Sequence, residues 1–447
     1  MAEQDLGGSP WRELAKRILI TALLGIVVYR LGCAIPIPAV SAEAIKAFIN
    51  PSGGDDNPIK MVLAWANMLN GQAIGQASIF GLGIMPYISA SIIMQLLTYS
   101  IPSLKALQKE GETGRRKINQ FTRYATLVIA LVQAAMASWF LSNATASMPG
   151  GGEMQLMNAD QISKAAFIVQ STLVITTGSM LILWISEQIT KFGVGNGVSV
   201  VIMIGILSSV PAAFAAMKGS DLTPYLGLIL VCLCIIAAIV LVVLAVRRIN
   251  LEQQRRVQGN KIYGGGQTTL PLKLNQANVI PVIFAQPVMA VVVMAGAGIG
   301  AGTVLGYGEP LHRYMMAGLI IGFTFFYISI TFDLNDLANN FKQSGFFVRG
   351  IKPGKNTVDH LKHILTRITL VGACSLALIA LLPETAAGLS GMNADSRGAA
   401  LMVGGTGLMI VVGVTIDIMQ KVATFFLAQQ YKGLGAGPGA APSGKRF

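Results

Sequence analysis

Apolar residues in this chain do not alternate with polar ones. They gather in long uncharged blocks separated by short polar connections. Blocks of spanning length stand at about 18–35, 79–98, 124–142, 166–186, 198–217, 225–246, 279–301, 314–332, 364–382 and 399–419. The pattern predicts ten transmembrane helices. Residues 1–17 are polar, and the first block is long enough to stay in the membrane, so no cleaved leader is expected.

The second block has an unusual approach, ANMLNGQAIGQASIFGLGIMPYISASIIMQLLT over residues 66–98. Ile79–Thr98 is uncharged and reads as a spanning helix. Ala66–Ala77 is too short to cross and is interrupted by Asn67, Asn70, Gln72 and Gln76, with Gly71, Gly75, Gly81 and Gly83 breaking the join. Such a half-polar segment sits at membrane depth only when protein or a water-filled cavity surrounds it. An ordinary loop entering an ordinary helix fits the same spacing.

Composition agrees with the blocks. The 447 residues are 53% hydrophobic and 12% charged, with mean hydropathy +0.62; soluble domains carry about 25% charged residues. Lys and Arg then set orientation. They collect in residues 1–17, in the connections after the second, fourth, sixth and eighth blocks, and in the tail. Only Lys46, Lys60, Lys164, Lys218, Arg313 and Arg397 flank the opposite side, and Arg30 lies inside the first block. The basic side is expected to be cytoplasmic, with both termini there. The blocks divide five and five, which permits an inverted repeat, although the halves show no strong self-similarity. The expected divisions are 1–17, 18–217, 218–432 and a flexible tail at 433–447.

Candidate chemistry is sparse. Glu187, Asp333 and Asp417 lie at block edges, and block centres hold no carboxylate or lysine of the kind ion-coupled transporters use. Cys33, Cys232, Cys234 and Cys374 have no metal or disulfide spacing and read as small core residues; His312, His360 and His363 sit near block ends. The glycines of GVGNG at 193–197 lack a following Walker lysine and read as a tight turn. No nucleophile–base pair appears, so neither an enzyme nor a cofactor is expected. Residues 41–65 and 143–163 read as surface loops.

Two patterns remain. Ile88 and Ile92 share a helix face, as do Val198 and Ile202, and Ile280 precedes Pro281. If these faces converge they form an apolar constriction; ordinary helix packing has the same spacing. The connection RRINLEQQRRVQGNKIYGGGQTTLPLKLN at 247–275 predicts a basic β-hairpin, and FKQSGFFVRGIKPGKNT at 341–357 predicts a loop tip exposing Arg349, Lys352 and Lys355. Both surfaces suit anionic lipid or an acidic partner such as ribosomal RNA.

Several stretches together resemble the SecY family, the channel subunits of bacterial Sec protein translocons. They are RLGCAIPIP at 30–38, ASIFGLGIMPYISASIIMQLL at 77–97, GRRKINQFTRYAT at 114–126 and WISEQITKFGVGNGVS at 184–199. LPLKLNQANVIPVIFAQP at 270–287, FKQSGFFVRGIKPGKNT at 341–357 and GGTGLMIVVGVTIDIMQ at 404–420 continue the series. The resemblance covers about residues 11–434. It implies an all-α polytopic membrane protein, with two pseudo-symmetric inverted halves of five helices around a central pore. It places a pore ring at Ile88, Ile92, Val198, Ile202, Ile280 and Ile410. It places a plug at Asn67, Met68, Leu69, Asn70, Gly71, Gln72, Ala73, Ile74, Gly75 and Gln76, and a lateral gate between the second and third spans and the seventh and eighth. It also implies docking of the ribosome or the SecA motor at Arg247, Arg248, Arg255, Arg256, Lys261, Arg349, Lys352 and Lys355. SecE and SecG are the expected membrane partners, beside nascent polypeptides and anionic lipids, in the bacterial inner membrane. Lys352 stands where Arg is common, Gln76 where a basic residue is frequent, and Asn278 where Gly is frequent. An ion-coupled transporter with inverted repeats and a poreless scaffold are the alternatives.

Overall fold

The computed structural model describes residues 10–49, 63, 66–67, 70–147, 153–157, 162–216, 222–253, 256–258, 261–263, 266–298, 309–332, 334–352, 354–389 and 405–435. Met68, Leu69, Arg255, Gly264, Gly265, Asp333, Pro353 and the tail from residue 436 lie outside the described residues.

Every predicted block contains a helix. Helix α1 (Pro10–Ala22) runs on through a π-helical stretch, Leu23–Val28, and a final α-helical turn, Tyr29–Ala34. After the short α2 (Ala42–Ile49) come α3 (Met85–Ser100), α4 (Pro102–Lys109), α5 (Glu112–Asn143), α6 (Lys164–Phe192) and α7 (Gly197–Ala216). The second half has α8 (Leu222–Leu244), α9 (Ile280–Gly298), α10 (Pro310–Thr331), α11 (Leu334–Ser344), α12 (Lys355–Leu389) and α13 (Gly405–Gly435). Six of the helical runs described here are long and apolar enough to cross a membrane unaided. Large side chains such as Leu31, Leu131, Leu241 and Leu378 face outward, as a lipid-covered surface requires.

The second span starts later than the apolar run predicts, at Met85 rather than Ile79. Gly83 takes a left-handed backbone conformation, and Pro86 then occupies the first helical turn, where its missing N–H costs nothing. Its other end is set by Ile101, which is extended because Pro102 follows. Several helices also reach past their apolar blocks, so Arg115, Arg116 and Lys117 lie on α5, and Lys355 begins α12 rather than crowning a loop.

Close approach of α5 and α6 rests on small residues. Thr122, Thr126, Ala130, Ala134, Ser138 and Ser142 recur every fourth position on α5 and are buried. Ser138 accepts a hydrogen bond from Thr172 of α6. Of the cysteines only Cys33 is buried; Cys234 and Cys374 face outward, because their helix positions lie on the lipid-covered side. The two halves meet where α13 packs on α1 and α7, and where α3 touches α9.

The stretches at 41–65 and 143–163 contain more than surface loop. Strands β1 (Thr145–Ser147) and β2 (Glu153–Gln155) pair antiparallel. Val40 bridges Met157, and Ala44, Ile45, Ala77 and Leu156 form a small apolar cluster.

On the basic side, β3 (Val246–Gln253) runs into a short hairpin of β4 (Arg256–Gln258) and β5 (Lys261–Tyr263). The chain returns as β6 (Gln267–Lys273). The predicted hairpin is therefore present. A third strand, β7 (Phe346–Val348), pairs with the other side of β3, in the order β6-β3-β7. Ile249 and Leu251 of β3 bury against Val348 and against Leu361 and Ile364 of α12.

Gly178 of α6 and Gly32 of α1 are packing requirements. A Cβ on Gly178 would strike the Ile79 carbonyl, and one on Gly32 would strike the Phe80 ring. Gly178→Ala and Gly32→Ala should each cost about 1–3 kcal/mol, read as a lowered thermal unfolding midpoint in detergent. Gly322→Ala, in a helix interior where a Cβ meets open space, should instead hold or raise the midpoint, gaining about 0.5–1 kcal/mol.

Candidate functional site

Helices α3, α7, α9 and α13 converge on an apolar constriction. Ile88, Ile202 and Ile410 are 5%, 6% and 3% exposed and belong to one buried cluster. Ile92, Val198 and Ile280 are partly buried and pack against that cluster. Ile88, Ile202 and Ile410, from both halves of the chain, line one cavity, whereas Ile92, Val198 and Ile280 lie at the margin of the same large cluster and not on that cavity. A cavity of about 20 Å³ lies among Ile84, Met85, Ile88, Ile202, Ile283 and Ile410, with Asn70, Gln286 and Thr406 as its polar lining. That volume accommodates about one water molecule. Ile84 and Ile283 were not singled out from sequence. They stand one turn before Ile88 and one turn after Ile280, so helical spacing could have found them.

Residues 70–84 carry no helix and fold as successive turns beside this constriction. Gly71, Gln72, Ala77 and Gly83 all have positive φ. The side chains that look like polar interruptions hold the turns together. Asn67 Oδ1 accepts the Gly75 N–H at 2.7 Å, and Asn70 Nδ2 donates to the Gly81 carbonyl at 2.9 Å. Gly71 sits so near Gly205, Ser208 and Tyr29 that a larger residue would not fit without a shift. At the far end the chain is pinned to the segment after α1. Ile37 N–H donates to the Ala77 carbonyl at 2.7 Å, and Ile79 N–H to the Ile35 carbonyl at 3.0 Å. The Ser78 hydroxyl accepts the Phe80 N–H, and Phe80, fully buried, stacks on Tyr29.

Space on the two sides of the constriction is unequal. Toward the basic side opens a cleft of about 1290 Å³ between α3, α5, α10 and α12, with Ser91, Gln95, Thr98, Asn119, Ser329, Asn335 and Asp359 among its walls. Toward the other side an apolar crevice of about 400 Å³ runs between Ile74 and Ala77, Trp139 and Phe140 of α5, and Met294 of α9.

The basic residues separate into three groups. Arg247 and Arg248 are exposed on β3, and Arg349, Lys352 and Lys355 are exposed after β7. Arg256 and Lys261 lie on β4 and β5. Left-handed Gly345, Gly350 and Gly354 shape the tip, and Thr357 N–H closes it on the Gly354 carbonyl. Arg349 approaches Glu252 of β3 at 3.6 Å, an exposed pair that contributes little to stability but links the two connections. The sheet makes them one surface, which local sequence pattern does not reveal.

Asn278 also has a structural reason. Its φ is +54°, a conformation that Gly adopts freely and Asn tolerates better than most residues. At 193–197 the turn is tight, with Gly195 at φ +96°, and the Thr21 hydroxyl accepting the Val194 N–H.

The family profile described as SecY matches residues 78–419. The protein translocase subunit SecY of Escherichia coli K12 is 38% identical over 93% of this chain and 93% of its own length. A solved structure concerned with the plug domain of SecY, said there to stabilise the closed state of the translocation channel, aligns with TM-score 0.61. It covers 96% of this chain and 95% of the other at 16% identity. Sec61 in a canine ribosome–channel complex aligns with TM-score 0.58, the same coverage and 16% identity. The constriction, the turn segment beside it and the matching of nearly the whole length lead to one conclusion: this chain belongs to the SecY family of protein translocase subunits.

Proposed function

We propose that this chain is the pore subunit of a protein-conducting channel in the bacterial inner membrane, with both termini and the basic sheet on the cytoplasmic side. The observation that carries the reading is the constriction of Ile88, Ile202 and Ile410, with residues 70–84 folded beside it. Isoleucine side chains offer a hydrated ion nothing to replace its water shell, so a closed ring of them blocks ions by dewetting. The same ring yields to an extended polypeptide, because dispersion contacts carry no fixed geometry. Residues 67–76 act as the plug, displaced when the ring opens.

Sideways release follows from partition. The seam between α3 and α5 on one half and α9 and α10 on the other is the lateral gate. A segment poised there gains a few tenths of a kcal/mol in lipid for each Leu or Ile and loses about 2.5–3.5 kcal/mol for each charge at the bilayer centre. The chain itself supplies no energy, so a motor such as SecA or a translating ribosome drives transport. Arg247 and Arg248 on β3, Arg349 and Lys352 after β7, Lys355 at the start of α12, and Arg256 and Lys261 on the short hairpin make up the docking surface, and the sequence adds Arg255 to it. Lys352 gives a point charge where Arg would give a bidentate phosphate contact. SecE and SecG are the small membrane partners, and anionic lipid headgroups share the basic side.

Deleting residues 67–75 should raise resting ion leak in proteoliposomes at least tenfold while preprotein export continues. An unchanged leak would remove the plug role. Ile88→Asn with Ile92→Ser should let preproteins with weakened signal sequences through, measured as export of a defective-signal reporter. Reversing Arg349, Lys352 and Lys355 to Glu should weaken ribosome or SecA binding by about tenfold, more at low than at high salt. Binding that does not change would leave lipid as the partner of this surface.

A further inference from the structure

The cleft on the basic side carries opposite charges on its two walls. Lys105 and Lys109 of α4 and Arg115 of α5 stand on the wall made by the first half of the chain. Asp336 of α11 and Asp359 of α12 stand on the wall made by the second half, beside Lys362. Lys109 Nζ and Asp336 Oδ2 approach to 3.9 Å across the opening. Both charges sit on anchored elements. The Leu107 carbonyl of α4 lies so close to Gly114 of α5 that a Cβ there would strike it. On the other wall Leu334, Leu337 and Phe341 of α11 pack on the apolar core of the basic sheet, and Ala338 is buried. Lys109 ends α4 and Asp336 lies in the first turn of α11, where the helix dipoles favour a cation and an anion respectively. α4 continues from α3, and α11 follows α10. Those two spans lie on opposite sides of the seam between the halves.

We propose that Lys109 and Asp336 form an ionic clasp across the mouth of the lateral gate, which sets how readily the gate opens. Parting α3 and α5 from α9 and α10 carries the two charges away from each other, so their attraction counts only in the closed state. An interaction made in one state alone shifts the population toward that state by its own free energy and no further. Both side chains are more than half exposed, which limits the shift to about fivefold. A bias of that size leaves the gate openable by a strongly apolar signal segment and raises the demand on a weak one. Lys109 and Asp336 are positioning residues in this scheme, because they act through the seam and touch no substrate. The inference rests on the reading of the seam as a lateral gate.

The test uses the complete translocon in proteoliposomes, with Lys109→Asp, Asp336→Lys and the two together. The double variant restores an opposite pair with its ends exchanged. Spin labels at the exposed Ser103 of α4 and Asn340 of α11, with Cys232, Cys234 and Cys374 replaced by Ala, report the separation of the two walls by electron–electron distance measurement. Each single reversal should raise the wide-separation population of the resting translocon by about three- to fivefold, and export of a defective-signal reporter with it. The exchanged pair should return both to within about twofold of the parent. Raising salt from about 50 to about 500 mM should widen the parent and leave Lys109→Gln with Asp336→Asn unmoved. An exchanged pair whose effect is the sum of the two single ones overturns the clasp. So do single reversals that leave the resting separation unchanged, and if the parent's labels still part when a preprotein with an intact signal sequence engages, the gate is spared. Parent labels that do not part on that engagement overturn the gate reading and the clasp together.

Discussion

A backbone amide at membrane depth must find a partner inside the protein, and residues 70–84 must do so without a helix or a sheet. The rest of the site depends on how this is done. Asn67 and Asn70 supply side-chain partners, and Ile35 and Ile37 supply backbone ones. Left-handed residues turn the chain tightly enough for those partners to reach. Once the turns are satisfied, Gly83 and Pro86 place the start of α3, and that start places Ile84 and Ile88 at the constriction.

The segment is held unevenly along its length. Its Ala77–Phe80 end is fixed by two backbone hydrogen bonds, by the stacked Tyr29 and Phe80 rings, and by glycines at 32 and 178 that admit Phe80 and the Ile79 carbonyl. Its other end is held mainly by its own asparagines and by contact with α7. Each such tie contributes on the order of 1 kcal/mol. The proposed plug is therefore anchored more firmly at its Ala77–Phe80 end than at its Asn67–Gln76 end.

The basic surface solves another problem, that of keeping flexible charged connections in one place. β3 is shared between β6 and β7, so two connections far apart in sequence form a single sheet over α12. Ile249, Leu251 and Val348 fill its inner face, and Arg248 stands on the outer one. Arg247 shares the parity of Ile249 and is exposed because it lies at the start of the strand, beyond the apolar cluster. Pairing with β7 is what aligns the two charged groups.

The apolar blocks by themselves determined the spanning helices, because lipid admits few other structures and tolerates few charges. Helical spacing likewise linked Ile88 to Ile92 and Val198 to Ile202, and turn residues marked the hairpin and the loop tip. Tertiary structure decided the rest. Periodicity says which residues share a face, but not which faces meet, so the gathering of Ile88, Ile202 and Ile410 from three helices needed the fold. Ile79–Ile84 is as apolar as a helix, yet it turns, since its partners come from Asn70 and Ile35, and Gly178 of α6 leaves room for the Ile79 carbonyl. Asn67 and Asn70 read as interruptions in the sequence and became ties in the structure. A polar side chain's role depends on which donor or acceptor comes within about 3 Å of it, and that distance is set by the packing of the whole chain.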